Sequence, residues 1–402
     1  MTTLSRAATA AAVALALSLS LPLALAGPAS AAAPSVPRHV AEAPAEVGTE
    51  GRAALPRPTG PSPVGSSVLH LVDRSRPDPW MPEAHGRELM VTLHYPAART
   101  GGAGRTTPYA TTAETQALID GYGLGEAISA AELSAMRTYA RKDARPAPGR
   151  YPLVVLSPGF TVSRYTLTAL AEGLASRGYV VASVDHAYES LGIQTPDGRL
   201  LTCAACGPIS EGQVPESKIT AGRARDVSYV VDRLTGRHPV WKYAETIDRR
   251  RIGMAGHSIG GAAAATAMLA DERIRAGINM DGSFHDTLPE EGLGGRPFML
   301  LGTDDDMHRP GGTDHTWDEA WERFGGWKRW LTLAGSDHFT FTDGAVILDH
   351  FGVPRSPLPA DRALVLTRAY VAAFFDRHLK GTAQPLLDGP SPANPEMVFH
   401  NP

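Results

Sequence analysis

Cysteine is almost absent from this chain: 402 residues contain two, Cys203 and Cys206, in LLTCAACGPI. That excludes a disulfide-stapled scaffold, and a C-x-x-C with no second ligand pair at suitable spacing excludes a closed zinc site. The local pattern also lacks the βαβ setting of a thioredoxin-like redox motif. If the chain is exported, the pair reads as a short disulfide, Cys203–Cys206, clipping a surface loop. An excess of one charge is missing too. The formal net charge is −4 and no long basic run occurs, so there is no case for nucleic acid as a partner. Beyond the N-terminus no apolar run is long enough to span a bilayer, so no integral membrane segment is expected in the mature chain. No internal repeat occurs.

What the N-terminus does have is an export signature. Residues 1–33 begin with a short stretch carrying Arg6, continue as an Ala/Leu run and end in the small residues Ala29-Ser30-Ala31 and Ala31-Ala32-Ala33. This is the pattern of a secretory signal peptide cleaved after about Ala31 or Ala33, and it predicts a secreted protein. No cysteine sits near the cleavage site to carry a lipid. Residues 34–64 are rich in Pro, Ala and Gly and read as a flexible leader, leaving 65–402 as the folded domain.

Within that domain, VLHLVD and RELMVTLHYP read as early strands, an antiparallel start to a sheet. Residues 113–142 have helical spacing broken by glycine and form an insertion. A regular alternation follows: PLVVLS, YVVASVD, RIGMAG, IRAGINMD, PFMLLG and WKRWLTLAG as strands, with helical stretches between several of them. A long Cys-containing loop occupies about 186–219, and ADRALVLTRAYVAAFFDRHLKG is a C-terminal amphipathic helix. Such alternation predicts an α/β fold, a mostly parallel central sheet with helices on both faces. The Pro-rich tail after Lys380 is expected on the surface.

One stretch carries chemistry. In IGMAGHSIGGAAAATAML an apolar strand ends at Gly256 and a helix-forming run starts after Ser258, with Gly256-His257-Ser258-Ile259-Gly260 between them. A serine on so sharp a strand-to-helix turn needs small neighbours two residues either way. Its hydroxyl also needs a base and an orienting acid, which a parallel sheet gathers at the carboxyl ends of its strands. His338 fits the base: it follows a late strand on a Gly/Ser loop. His285, His308, His315 and His350 also lie after Ser258; His308 and His315 read as surface residues of a polar loop. Two places compete for the acid, Asp281 at the end of IRAGINMD and the trio Asp304, Asp305 and Asp306 one strand later, of which Asp306 is best placed to turn back. An oxyanion would need two backbone donors. One is Ile259, just past the serine. Pro158 has no N–H and Gly159 makes the turn, so Phe160 is the other.

Together these residues resemble the platelet-activating-factor acetylhydrolase-like α/β-hydrolases, a group that includes secreted bacterial lipase-like esterases. The resemblance runs through RELMVTLHYPA, LSPGFTVSRYTLTALAEGLASRGYVVASVDHAYES, AGHSIGGA, INMDGSF and LAGSDHFTFTD, roughly residues 65–380. It implies an α/β-hydrolase fold, Ser258 as nucleophile, Asp281 as acid, His338 as base, Phe160 and Ile259 as oxyanion donors, and no metal or cofactor. Related polyester-cleaving cutinases carry their acid one strand later, where this chain has GTDDDMHRP, which keeps Asp306 as the alternative. The expected activity is hydrolysis of a small, lipid-like or polymeric carboxylic ester through an acyl-enzyme. A serine peptidase or amidase, or a non-catalytic binding protein on the same fold, are the alternatives.

Overall fold

Short β-branched runs become central strands here because both of their faces are covered. In LVVL, Leu153 and Val155 join one buried cluster while Val154 and Leu156 join the other, the period-2 alternation of a strand between two helix layers. The computed structural model describes residues 53–99 and 105–401. The expected signal peptide and most of the leader lie outside the described residues.

The elements run β1 (Val64–Asp73), β2 (Arg87–Pro96), α1 (Thr112–Tyr122), α2 (Ala130–Ser134), β3 (Arg141–Lys142), β4 (Tyr151–Ser157), α3 (Thr168–Ser176) and β5 (Val180–His186). A hairpin of β6 (Ile193–Gln194) and β7 (Leu200–Leu201) follows, then α4 (Cys206–Ser210), α5 (Ser217–Thr235), β8 (Ile247–His257), α6 (Ile259–Ala270) and β9 (Ile274–Met280). The chain continues through β10 (Phe298–Thr303), α7 (Thr316–Arg323), β11 (Lys328–Leu333), α8 (Gly344–His350), α9 (Ala360–Lys380) and β12 (Met397–Phe399). Ten strands form one sheet in the order β12-β11-β10-β9-β8-β4-β5-β2-β1-β3. Its centre, β5 through β11, is parallel. β2 pairs antiparallel with β5, β1 with β2, and β12 with β11. After β4 the chain builds outward to β5; after β8 it builds the other way to β11. The reversal lies between β4 and β8, where a doubly wound sheet opens its crevice.

Helices α5 and α6 cover one face through Val227, Val230, Ala263 and Met268; α3 and α9 cover the other through Leu170, Leu174, Tyr370 and Phe374. One sequence expectation needs correction and two are refined. The leader does not extend to 64: Ala53 and Leu55 are buried, and Leu55 N–H donates to Arg137 O at 3.0 Å. The tail after Lys380 lies at the surface as expected, but it is anchored there: Leu387 and Met397 are buried and β12 completes the sheet edge. The 113–142 insertion is helical and broken by glycine as expected, though only in part: α1 is capped by a Thr111/Glu114 box and closed by Gly123 at φ 67°, α2 is a short helix, and β3 joins the sheet.

The turn after β8 depends on close backbone approach. A Cβ on Gly256 would lie 2.1 Å from Gly260 O, and one on Gly260 would lie 2.2 Å from Ser157 O at the end of β4. Backbone cannot retreat as a flexible side chain can, so Gly260→Ala is expected to destabilise the protein by about 3 kcal/mol or more. Gly222→Ala, in open space on α5, is expected to be neutral or slightly stabilising. Denaturant midpoints of the two variants check the contrast.

Candidate active site

Ser258 sits between β8 and α6 at φ 55°, ψ −132°, a conformation that non-glycine residues adopt only when the surroundings hold them there. Its N–H donates to Met280 O at 2.7 Å, tying the turn to the end of β9. The side chain makes no cap hydrogen bond to α6, and the residue is only half-buried. Ile259 opens α6, so its N–H is among the first-turn donors that a helix leaves without an intrahelical acceptor.

Asp281 follows β9, also at positive φ (61°), and is 1% exposed. Its Oδ2 accepts from His338 Nδ1 at 2.6 Å. Its Oδ1 accepts from the Thr303 N–H and hydroxyl, both at 2.9 Å, and from His308 Nδ1 at 3.0 Å. Burial opposes ionisation of this carboxyl, but the hydrogen bonds from His308 and His338 hold it well below the usual carboxylate range. With Nδ1 donating to Asp281, the His338 imidazole directs Nε2 elsewhere, and its side chain is 43% exposed. Asp306, the alternative acid, faces solvent: its side chain is 92% exposed and its carboxylate lies 3.8 Å from Arg309.

His257 fixes the His338 loop from beneath. Its Nε2 donates to His338 O at 2.5 Å, and the two rings lie 4.6 Å apart. Burial, then the neighbouring imidazole, push His257 down to about 3, so it is neutral.

On the far side of Ser258, the loop after β4 runs Ser157-Pro158-Gly159-Phe160. Buried Arg223 of α5 donates Nη1 to Pro158 O and Nη2 to Gly159 O, the latter at 3.4 Å. In a trans peptide C=O and N–H point oppositely, so holding Gly159 O toward α5 turns the Phe160 N–H away from it. Phe160 itself is half-buried.

Two features escape a sequence reading. His308 was expected on the surface; it is 3% exposed, with Nδ1 on Asp281 and Nε2 3.3 Å from Ser283 Oγ and 3.2 Å from Asp314 Oδ2. Polar flanks conceal it, since nothing in DDDMHRPGGTDH shows the loop folding back over β9. The second is another Ser-His-Asp chain: Ser157 Oγ donates to His186 Nε2 at 3.0 Å, and His186 Nδ1 donates to Asp226 Oδ2 at 2.7 Å. All three residues are buried, and Ser157 Oγ also accepts from Arg223 at 3.1 Å, so a substrate cannot reach this serine. Asp281, Asp305 and His308 bring one possible metal-ligand atom each within 4.8 Å of one another. Asp281 and His308 are already spent on the bonds above, and Asp305 Oδ1 accepts from the Met307 and His308 N–H groups. The cluster is a hydrogen-bonded unit rather than a ligand set. Cys203 and Cys206 are joined as a disulfide in the loop before α5.

Residues 47–196 match the family model for platelet-activating factor acetylhydrolase, isoform II. Over 377 residues the chain is 28% identical to a probable 1-alkyl-2-acetylglycerophosphocholine esterase of Arthroderma benhamiae, covering 86% of this chain and 93% of that protein. It is also 28% identical over 167 residues to a bis(hydroxyethyl) terephthalate hydrolase of Streptomyces coelicolor, covering 40% and 42%. The solved structure of a ferulic acid esterase from Streptomyces cinnamoneus matches with a TM-score of 0.76 at 44% identity, covering 87% of this chain and 99% of that one. Fold and relatives define the class, an α/β-hydrolase acting on carboxylic esters. Within that class, the chain belongs to the platelet-activating-factor acetylhydrolase-like family.

Burial opposes a charge on His308, but hydrogen bonds to Asp281 and Asp314 and their negative charges outweigh it and raise the group from 6.5 to about 9. A raised histidine contributes stability in full below 6.5, and that contribution is lost as pH rises through about 9. Wild type is therefore expected to lose up to about 3 kcal/mol between pH 6 and pH 10 that His308→Gln does not lose. Paired urea titrations across that range measure the difference.

Proposed function

We propose that this protein is an exported serine ester hydrolase in which Ser258 is the nucleophile, His338 the general base and acid, and Asp281 the orienting carboxylate. The observation that carries this reading is the 2.6 Å contact between His338 Nδ1 and the buried Asp281, at the same sheet edge as the strained Ser258 turn. Export is inferred from residues 1–33.

In the reaction, Ser258 Oγ attacks the ester carbonyl carbon and passes its proton to His338 Nε2. The carbonyl π pair moves onto oxygen, where the Phe160 and Ile259 N–H groups receive it. Collapse breaks the carbon–oxygen bond to the alcohol, which leaves with the proton from His338. Water then gives a proton to His338 and its oxygen to the acyl carbon, releasing the acid and regenerating Ser258. Asp281, held ionised, keeps the imidazole in the required tautomer and balances its positive charge.

The substrate reading rests on a groove of about 180 Å³ beside these residues. Leu118, Ile119, Leu124 and Ile128 of the insertion face Ile347 and Leu348 of α8, with Val162 and Phe339 at the end nearest the site. Phe339 follows His338, and Val162 lies next to Gly159, which in turn packs on Ser258. The lining carries no charged side chain, so it suits a neutral apolar chain or ring of the ester.

Ser258→Ala is expected to lower turnover of an acetyl ester roughly 10⁶-fold, and Asp281→Asn on the order of 10⁴-fold, with the fold intact. Asp306→Asn should stay near wild type. Fluorophosphonate labelling of wild type but not Ser258→Ala is the direct check; a fully active serine variant overturns the reading. Separately, kcat/KM on p-nitrophenyl esters is expected to rise up to about fourfold per methylene from acetate upward until the groove is filled. Leu348→Trp should flatten that rise and leave acetate unchanged.

A further inference from the structure

Asp281 has two imidazole partners, and the chemistry above uses only one of them. His308 comes from the loop after β10 and places Nδ1 3.0 Å from Asp281 Oδ1, the oxygen that His338 does not use. Its other nitrogen lies 3.2 Å from Asp314 Oδ2 and 3.3 Å from Ser283 Oγ. The ring stacks on Trp317 at 4.5 Å and 28°, a geometry in which the electron-rich indole face favours a cation. Its backbone is fixed as well, since Trp330 Nε1 donates to His308 O at 3.0 Å. Carboxylates flank both nitrogens and an aromatic face covers one side of the ring. Each of these contacts favours the imidazolium form.

We propose that His308, clamped between Asp281 and Asp314, is a positioning residue of the ester hydrolysis: it occupies one oxygen of Asp281, presents the other to His338, and sets the pH above which His338 serves as base. The inference rests on the Ser258–His338–Asp281 reading. Its physical content is a sharing of charge. A cation on one oxygen of Asp281 cancels part of the negative field that the carboxylate exerts on His338. His338 then gives up its proton more readily and is available as a base at lower pH. The hydrogen bonds to and charges of Asp281 and Asp314 outweigh burial and raise the His308 pKa to about 9.

The other charged and titratable groups around the pair do not supply that field. His257, beneath His338 on β8, is neutral. Asp337, beside His338 in sequence, is paired with Arg355. Asp304 is paired with Arg309 and also accepts from the Gly335 N–H. Asp305 accepts from backbone N–H groups of its own loop. Asp314 is the counter-charge on the far nitrogen of His308.

The test is the pH dependence of kcat/KM for an acetyl ester in wild type, His308→Gln and His308→Ala. Glutamine keeps a donor toward Asp281 and removes the charge. It is expected to move the acidic limb about one pH unit upward, a loss of about tenfold in kcat/KM on that limb, with the alkaline plateau within about threefold of wild type. Alanine removes donor and charge, and should lower the plateau as well as move the limb. A merely structural His308 would lower stability or the plateau without moving the limb. Coincident acidic limbs in wild type and His308→Gln, or a limb displaced downward, overturn the inference. If His308→Gln does not fold, His308→Asn, which also removes the charge, supplies the same measurement. Failure of the underlying triad reading is distinguishable, because it would appear as activity retained in Ser258→Ala whatever the His308 variants do.

Discussion

A carboxylate taken out of water at the end of β9 is the constraint around which this site is built. Desolvation alone would neutralise Asp281. It stays ionised because donors converge on it from three elements: Thr303 at the end of β10, His308 from the loop beyond, and His338 from the loop after β11. Both imidazole donors are held by contacts of their own, through Trp317 and Trp330 for His308 and through His257 for His338. Removing any one leaves a buried charge short of a partner, which costs more than a typical hydrogen bond. The loops after β10 and β11 therefore take their shape from Asp281 as much as from their own packing.

A second buried polar system lies under the loop after β4 and does different work. Arg87 bridges Asp78, Glu189 and Asp226 at 2.7–3.0 Å; Arg223 binds Glu189 through Nε at 2.8 Å. His186 and Ser157 complete the set. Charges alternate in sign throughout, which is the condition under which ions tolerate full burial. What emerges from this set toward the site is the guanidinium edge of Arg223, fixed from behind and donating to two successive carbonyls, Pro158 O and Gly159 O. In the proposed reaction Phe160 N–H would be a backbone donor to a developing charge, which is effective only if it need not reorganise, and a peptide pinned through its carbonyl meets that condition. The Ser157–His186–Asp226 chain thus has the connectivity of a catalytic relay and the burial of a structural one.

Much of this was legible in the sequence, for identifiable reasons. The strands VVLS and VVASV announce themselves because a two-face-buried strand must be apolar throughout. The turn at Ser258 is visible because Gly256 and Gly260 have no alternative: any Cβ there meets backbone oxygen. His338 stands out as following a late strand, but strand ends alone leave the acid open between Asp281 and Asp306, and only the family resemblance favours Asp281. What was not legible depends on long-range folding. His308 looks like a solvated residue because its neighbours Asp304, Asp306 and Arg309 are polar and outward, while it alone turns inward. The tail could not be placed because β12 is three residues long, and only pairing with β11 makes it a strand. The groove wall comes from an insertion whose apolar residues, Leu118, Leu124 and Ile128, are separated by glycines and acids that mask their common face.

Two residues with positive φ and a side chain, Ser258 and Asp281, stand at the ends of the adjacent strands β8 and β9. Each such conformation costs on the order of 1–3 kcal/mol. The two are held by one set of bonds. Ser258 N–H reaches Met280 O, and Asp281 N–H reaches Leu301 O. Asn279 then straps the next turn, accepting from Gly282 N–H and donating to Gly282 O, which also receives Trp317 Nε1. Gly282 passes so close to Ser258 that a Cβ there would lie 1.9 Å from Ser258 O. The strained turns are therefore interlocked, and neither can relax without displacing the other. That interlock explains how an unusual backbone conformation persists at a half-exposed serine: the packing that holds it lies in the β9 turn beneath, where α6, β10 and Trp317 exclude water.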